Sequence, residues 1–196
     1  IKANQRRPNH RDMSKPISTE ISNEVRQWLE TTVIGLNLCP FAQRELVRDS
    51  VRFVVSEASS EAELLQDLSD ELALLGEDEL IATTLLIHPS VLEDFHDYNQ
   101  FLSLSDELLQ DSQLEGIFQI ASFHPQYQFE GSLPNDAENY SNRSPYPMLH
   151  LLRESSVERA VASYKDVEDI PARNIKLLRA TGTEKLEALL AGITRK

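Results

Sequence analysis

The segments IATTLLIHP (residues 81–89) and IFQIASFHP (residues 117–125) each end an apolar run with a His-Pro pair. Proline cannot donate a hydrogen bond to a sheet ladder, so each strand is expected to end there. A helical pattern from Val91 to Leu109 separates the two segments, and a right-handed crossover through this helix would make the strands parallel. The repeated pattern therefore predicts a βαβ unit within a sheet that is at least partly parallel.

The remaining segments predict helices around this sheet. A capped helix is expected from Ser18 to Gly35, a short helix from Leu38 to Val47, a strand at Val51–Val55 and an amphipathic helix from Glu61 to Leu75. The end of the chain predicts four more helices, Met148–Ser155, Val157–Tyr164, Ala172–Ala180 and Thr183–Ala191. The expected fold class is α/β, with α+β as the alternative: a small, partly parallel sheet of three or four strands, flanking helices and a helical C-terminal third.

Composition restricts the class of protein. The 196 residues suffice for one sizeable domain, and a formal net charge of −13 argues against a nucleic-acid partner. No apolar run approaches the roughly 18 residues of a membrane span, and no signal peptide is visible. A single cysteine fits a reducing compartment. We expect an acidic, soluble, cytoplasmic protein without a membrane partner; its oligomeric state stays open.

The first twelve residues, IKANQRRPNHRD, differ from the rest of the chain in charge and lack apolar periodicity. We interpret residues 1–12 as a non-native or disordered extension, and residues 13–196 as a single globular domain. A genuine basic arm is the alternative.

Two histidines mark the predicted strand ends. If the strands are parallel, His88 and His124 lie at the same carboxyl edge, where open α/β sheets bind ligands. Neighbouring strands are about 5 Å apart, so the two imidazoles could share one metal or one substrate. We predict both histidines as catalytic residues and as metal ligands. The alternative is that each caps its strand and bonds a nearby backbone carbonyl.

Cys39 is the third predicted catalytic residue. With Pro40 at the first helical position, Cys39 is expected near a helix N-cap, where a thiolate is stabilised. It could act as a nucleophile, a redox centre or a soft metal ligand. The alternative is a buried, inert thiol between Leu38 and Phe41. Because Cys-Pro also occurs in haem-ligating segments, haem is a second possible cofactor, less favoured than a transition metal.

His150 is a further predicted metal ligand. It stands four residues before Glu154, so on the predicted helix Met148–Ser155 the two side chains would share one face. Together with a strand histidine they would resemble a set of two histidines and one carboxylate. The alternative is an ordinary surface pair.

A long segment, residues 125–147, joins the last predicted strand to the helical part. Loops of this length are usually functional or disordered, and its aromatic residues argue against disorder. We therefore predict an ordered lid over a small-molecule site. The predicted substrate-binding residues are Asn139, Tyr140, Asn142 and Arg143. Arg143 would hold a carboxylate or phosphate, with a plain salt bridge as its alternative.

Four segments together resemble a known family. They are GLNLCPFA (35–42), LIHP (86–89), SFHPQYQFEG (122–131) and DAENYSNRSPYPMLHLLRE (136–154). They resemble a largely bacterial family catalogued as domain of unknown function 1415, over the chain from about Thr19 onward. The resemblance implies no activity, cofactor or catalytic residue. It implies that the segments carrying the predicted site are also the family's signature.

Three functions are compatible with these observations. The favoured one is an enzyme, metal-assisted or redox, that acts on a small molecule at the strand ends beneath the loop. This hypothesis requires Cys39, His88 and His124 to converge. The alternatives are a non-catalytic protein that binds a metal or haem, and an assembly factor whose acidic helices meet a basic partner.

Overall fold

The fold is a four-stranded sheet with helices on both faces, described for residues 14–194 by a computed structural model. The extension predicted for residues 1–12 lies outside the described residues. The strands are β1 Val51–Val55, β2 Thr83–Ile87, β3 Phe118–Phe123 and β4 Met148–Arg153. The helices are α1 Ser14–Trp28, α2 Ala42–Val47, α3 Glu61–Glu77, α4 Phe95–Asp111, α5 Glu154–Ser163, α6 Ile170–Thr181 and α7 Thr183–Ala191.

The strand order is β1-β2-β4-β3. β1 and β2 pair in parallel, whereas β4 is antiparallel to both of its neighbours. The predicted fold class, a mixed α/β protein with a partly parallel sheet and a helical C-terminal region, is confirmed. β2 and β3 run in the same direction, as predicted, because each is antiparallel to β4.

The helix predicted at Met148–Ser155 is wrong, because residues 148–153 form strand β4. This strand lies between β2 and β3, which are therefore not neighbours. Both faces of the sheet are covered at this point, so the sequence MLHLLR shows no clean alternation of apolar and polar residues. A short apolar run of this kind does not distinguish a buried strand from a buried helix.

The first helix ends as the sequence predicts. α1 continues through a π-helical segment, Leu29–Ile34, to Gly35. A Cβ atom at Gly35 would collide with the Thr31 carbonyl oxygen, so a larger residue would force the chain to shift. Gly35 therefore permits the close turn that leads from this helix into the Cys39 segment.

Two apolar cores lie on opposite faces of the sheet. On the face covered by α3 and α4, which we call the α3–α4 face, Leu64, Phe101 and Leu149 belong to one buried cluster. On the face covered by α1, which we call the α1 face, Trp28 and Met148 belong to another. Since Met148 and Leu149 are consecutive in β4, their side chains separate onto the two faces as expected for a strand.

A smaller third cluster joins the C-terminal helices to the long loop. Tyr140, in a 3₁₀ turn at Ala137–Ser141, packs with Leu178 of α6 and Leu186 of α7. Helices α6 and α7 thus pack against the loop. Within residues 14–194, no helix combines the length and the apolar character needed to cross a membrane.

Tyr98 of α4 links its helix to the ends of two strands. Its side chain is fully buried. The hydroxyl donates a hydrogen bond to the Met148 carbonyl at 2.8 Å and accepts one from the Phe123 amide at 3.1 Å. One hydroxyl therefore satisfies a backbone group of β4 and a backbone group of β3.

Replacing Tyr98 by Phe should destabilise the protein by about 1–3 kcal/mol, because it leaves a buried carbonyl and a buried amide without a partner. Urea denaturation measures this loss. Tyr127→Phe is the matched control, since the Tyr127 hydroxyl makes no hydrogen bond to any described residue. Equal stability of the two variants would show that the Tyr98 hydroxyl bonds are not important.

Candidate functional site

His88 and His124 both contact the ring of Tyr98. The centroid of the Tyr98 ring lies 5.8 Å from that of His88 and 5.0 Å from that of His124. The two histidines follow β2 and β3 at the same edge of the sheet, as predicted. They were expected on adjacent strands about 5 Å apart, but β4 lies between those strands. Both side chains are buried, on the α3–α4 face.

Both imidazoles bond backbone groups of nearby turns. His88 Nδ1 donates to the Val91 carbonyl at 2.8 Å. His124 Nδ1 accepts from the Gln126 amide at 3.0 Å, so its Nε2 carries the proton and donates to the Leu92 carbonyl at 3.1 Å. Each histidine thus makes the carbonyl bond of the alternative interpretation. His88 Nε2 is buried without a hydrogen-bond partner among the described residues.

Burial lowers the pKa of both histidines, that of His88 to about 4. The unfolded chain takes up the His88 proton near pH 6.5, and the folded chain only near pH 4. Lowering the pH from about 6.5 to about 4 is therefore expected to reduce the free energy of unfolding, because the unfolded state binds more protons than the folded state in this range.

The contribution of His88 to this acid destabilisation should be about 3 kcal/mol. His88→Asn should weaken the pH dependence of the free energy of unfolding, because the amide can donate to Val91 without titrating. Urea denaturation at several pH values between 7 and 4 measures this dependence. His96→Asn is the control, since His96 is exposed. An unchanged pH dependence in His88→Asn would contradict the expectation.

Asn139 organises the long loop. It is fully buried, and its Oδ1 accepts from the Phe129 amide at 3.1 Å and the Ser132 hydroxyl at 2.8 Å. Its Nδ2 donates to the Leu133 carbonyl at 2.8 Å. The amide therefore replaces backbone hydrogen bonds that the irregular loop cannot make for itself.

Arg143 and Asn142 also bond within this region. The Arg143 guanidinium lies 4.6 Å from the centre of the Tyr140 ring and donates to the carbonyls of Tyr127 at 3.2 Å and Pro134 at 2.6 Å. Asn142 Nδ2 donates to the Ser122 carbonyl at 3.0 Å. The four residues predicted to bind substrate thus hold the loop together. Arg143 precedes strand β4, not the helix expected there.

Asn139→Ala should lower the free energy of unfolding by about 2–3 kcal/mol, because it removes three hydrogen bonds of a buried side chain and leaves the Phe129 amide and the Leu133 carbonyl without this partner. Urea denaturation measures this change. Asn135→Ala is a suitable control, because the Asn135 side chain is exposed in the same loop. A loss no larger than that of the control would mean that the loop does not depend on Asn139.

Cys39 lies on the opposite face of the sheet from the two strand-end histidines. It packs against the core of the α1 face, whereas Tyr98 belongs to the core of the α3–α4 face. The expected convergence of Cys39 with His88 and His124 is therefore not formed. The N-cap position is also corrected: α2 begins at Ala42 with Phe41 as its N-cap. Cys39 is a half-buried free thiol.

His150 is on a strand and not on a helix. It shares the α1 face with Met148, and Glu154 begins the following helix α5, so the predicted i, i+4 pair is wrong. His150 stands on the other face of β4 from the strand-end histidines. Among residues 14–194, no group of three or more His, Cys, Asp or Glu side chains is arranged to hold a metal ion. The predicted set of three histidine ligands does not assemble.

The hydrogen bonds of His150 define its tautomer. Its Nε2 lies 2.7 Å from the Thr83 hydroxyl oxygen, and that hydroxyl lies 2.6 Å from the Leu151 carbonyl oxygen. A hydroxyl has one proton and the carbonyl can only accept, so Thr83 donates to Leu151 and accepts from His150 Nε2–H. Nδ1 is then the unprotonated nitrogen. Desolvation lowers the pKa of His150 to about 4, which keeps the ring neutral near pH 7.

A cavity of about 1230 Å³ lies over His150 on the α1 face. Two rows of side chains form its floor, Thr83–Leu152–Gln119 and Leu85–His150. α2 with the preceding Cys39 segment and α5 form its walls. Cys39 and His150 therefore line the same cavity, although the sequence had grouped Cys39 with the strand-end histidines.

The floor carries few polar groups, and they lie close together. Gln119 is diagonal to His150 on the neighbouring strand, a relation that places Cβ atoms about 7–8 Å apart. The Gln119 amide makes no side-chain hydrogen bond within the described part of the chain. Gln119 and the unprotonated Nδ1 of His150 are thus available to a ligand.

Arginines outnumber acids around this cavity. Its lining includes four arginines, Arg44, Arg48, Arg153 and Arg159, but only two acids, Glu45 and Glu79. Arg44 pairs with Glu45 at 3.0 Å, and Arg153 donates to backbone carbonyls. Arg48 and Arg159 have no carboxylate partner among residues 14–194. In a chain with a net charge of −13 this is a local excess of positive charge.

The long loop does not cover this cavity. Of the described residues that line it, none belongs to the 125–147 loop. The loop instead packs against α6 and α7. It is ordered, and it lies away from the cavity on the α1 face.

A comparison with protein-family models finds the same family that the sequence motifs resemble. Residues 20–188 match the model of a family described as a protein of unknown function, DUF1415. The chain belongs to this family. No curated protein and no solved structure matched the chain.

Sequence reasoning missed Thr83 and Gln119. Both are polar residues inside otherwise apolar strand segments, IATTLLIHP and IFQIASFHP. Such a polar residue in a strand needs a partner on its face of the sheet. The segments therefore carried a signal, but it could be interpreted only once β4 was known to lie between them.

Proposed function

We propose that the protein is an enzyme that binds a small molecule in the cavity on the α1 face and transfers a proton at His150. One observation carries this proposal. A neutral imidazole, oriented by Thr83, stands on the floor of a large cavity with its Nδ1 unprotonated and without a hydrogen-bond partner among residues 14–194. A general base needs this combination of orientation, protonation state and access to a ligand.

The low pKa of His150 makes the empty site a weak base at pH 7. A substrate that develops negative charge as it loses its proton would change this, because a nearby negative charge favours the charged form of an imidazole and raises its pKa. The Thr83 hydroxyl keeps the ring oriented in both protonation states, since Nε2–H donates to it in each. His150 would thus become an effective base mainly when the substrate is bound.

Cys39 is the second reactive group of the proposed site. It lines the same cavity from the segment between Gly35 and α2, and its side chain is half-buried. The predicted nucleophilic or redox role of Cys39 is thereby kept, with His150 in place of His88 and His124 as its neighbour in the cavity. Structural hydrogen bonds occupy His88 and His124 instead.

A cavity-filling substitution tests the proposal. Ala160 of α5 lines the cavity, whereas Ala162 of the same helix is exposed and does not. We expect Ala160→Trp to weaken binding of the native substrate by at least a factor of about 10, equivalent to roughly 1.4 kcal/mol. Ala162→Trp should bind as the unaltered protein does. Each protein is incubated with a mixture of cellular small molecules, and mass spectrometry identifies molecules that are retained or converted.

His150→Gln distinguishes catalysis from binding. Glutamine can still donate to Thr83 but cannot accept a proton at neutral pH, so conversion should fall by a factor of about 10²–10⁴ while the same molecule is still retained. A molecule that is retained but converted by no variant would make the protein a carrier. Equal results for the two tryptophan variants would exclude the cavity as the site.

A further inference from the structure

We infer that the ligand of this cavity is an amphipathic anion, a molecule with an apolar body and a carboxylate or phosphate head group. The inference rests on the proposed function in using the same cavity, and it adds the chemical class of the ligand. Three features carry it: the apolar lining, the two unpaired arginines and the exposed apolar residues nearby.

The body of the ligand would lie against apolar side chains. Leu85 and Leu152 form part of the floor, Trp28 and Phe123 stand beside it, and Val157 faces it from α5. Trp28 and Phe123 contact each other edge to face, with ring centroids 5.3 Å apart, which fixes this end of the floor. Burying an apolar ligand against this surface removes nonpolar area from water and so favours binding.

The head group would be held by arginine. Arg48 follows α2 and Arg159 lies on α5, so the two guanidinium groups reach the cavity from two different walls. Among the described residues, Arg159 hydrogen-bonds only the Ser156 hydroxyl, at 3.0 Å. Guanidinium groups match the geometry of carboxylate and phosphate oxygens. In a chain of net charge −13, most surface attracts cations, and these two side chains make the cavity a local exception.

Two exposed apolar side chains belong to the segments around Ser50 and Ala82, one on each segment. Val47, directly before Arg48, is 80% exposed, and Leu80, which lines the cavity, is 84% exposed. Their segments run side by side, because the Ala82 amide donates to the Ser50 carbonyl at 2.9 Å. Apolar groups in the same part of the surface as an arginine suit a ligand that has both an apolar body and an anionic head group.

The interior of the cavity adds a further requirement. Gln119 and His150 are neutral and lie on the floor, so they would meet an uncharged polar group of the ligand, such as a hydroxyl or a carbonyl. The negative charge would remain at the arginines. The ligand is thus expected to be anionic at one end only.

Direct binding of defined probes tests the inference. Isothermal titration calorimetry is performed with dodecanoate, dodecyl phosphate and 2-naphthoate, which share an apolar body and an anionic head. The matched comparisons are dodecanol and 2-naphthylmethanol without charge, dodecylammonium with the opposite charge, and acetate and inorganic phosphate without the body. At least one amphipathic anion should bind about tenfold or more tightly than every comparison. The tighter of the carboxylate and phosphate probes identifies the head group.

Charge reversal locates the head group. Arg48→Glu and Arg159→Glu should each weaken binding of the anionic probe by a factor of about ten or more. Lys185→Glu, an exposed change on α7 away from the cavity, should leave binding unchanged. Tighter binding of dodecanol or dodecylammonium, or equal binding of acetate, would overturn the inference. So would arginine variants that bind like the lysine variant. A substrate found in the cavity-filling experiment that carries no negative charge would overturn this inference and leave the proposed function intact.

Discussion

The pairing of β4 with both β2 and β3 is the constraint on which the rest of the structure depends. Strand β4 directs Leu149 and Leu151 into the α3–α4 core and Met148 and His150 to the α1 face. Its first carbonyl, at Met148, accepts the Tyr98 hydroxyl, which connects α4 to the strand ends. One inserted strand thereby determines which chemistry appears on each face of the sheet.

The two faces differ in what their polar groups can do. On the α3–α4 face, the imidazoles of His88 and His124 hydrogen-bond backbone groups of nearby turns. Both rings therefore stabilise these turns. On the α1 face, the Thr83 hydroxyl is the one hydrogen-bond partner that His150 has within the described part of the chain, and the imidazole lines a cavity. Desolvation lowers the pKa of all three histidines, the two inside the core and the one at the cavity. Access for a ligand separates their roles, and pKa does not.

Much of the fold could be predicted from periodicity, and the site could not. The first seven helices and strands, α1 to β3, follow patterns that are local, such as the amphipathic helix at Glu61–Leu75 and the apolar run before His88. The identity of residues 148–153 depends on partners that lie 30 and 65 residues earlier in the chain, at Phe118–Phe123 and Thr83–Ile87. Because tertiary pairing decides a short apolar run, the sequence placed His150 on a helix and never brought it near Cys39.

The loop shows the same limit for polar residues. Arg143 was expected to hold a substrate anion, since arginine often does, yet its guanidinium serves two carbonyls that an irregular backbone leaves without partners. A long ordered loop must provide hydrogen-bond partners for its own backbone groups, so its arginine and asparagine side chains bond within the loop. Within the described part of the chain, the side chains of Arg48 and Arg159 hydrogen-bond no backbone carbonyl, and their sequence neighbours gave no sign of it. Positive charge therefore stays unpaired where regular helices supply the backbone bonds, at the walls of the cavity.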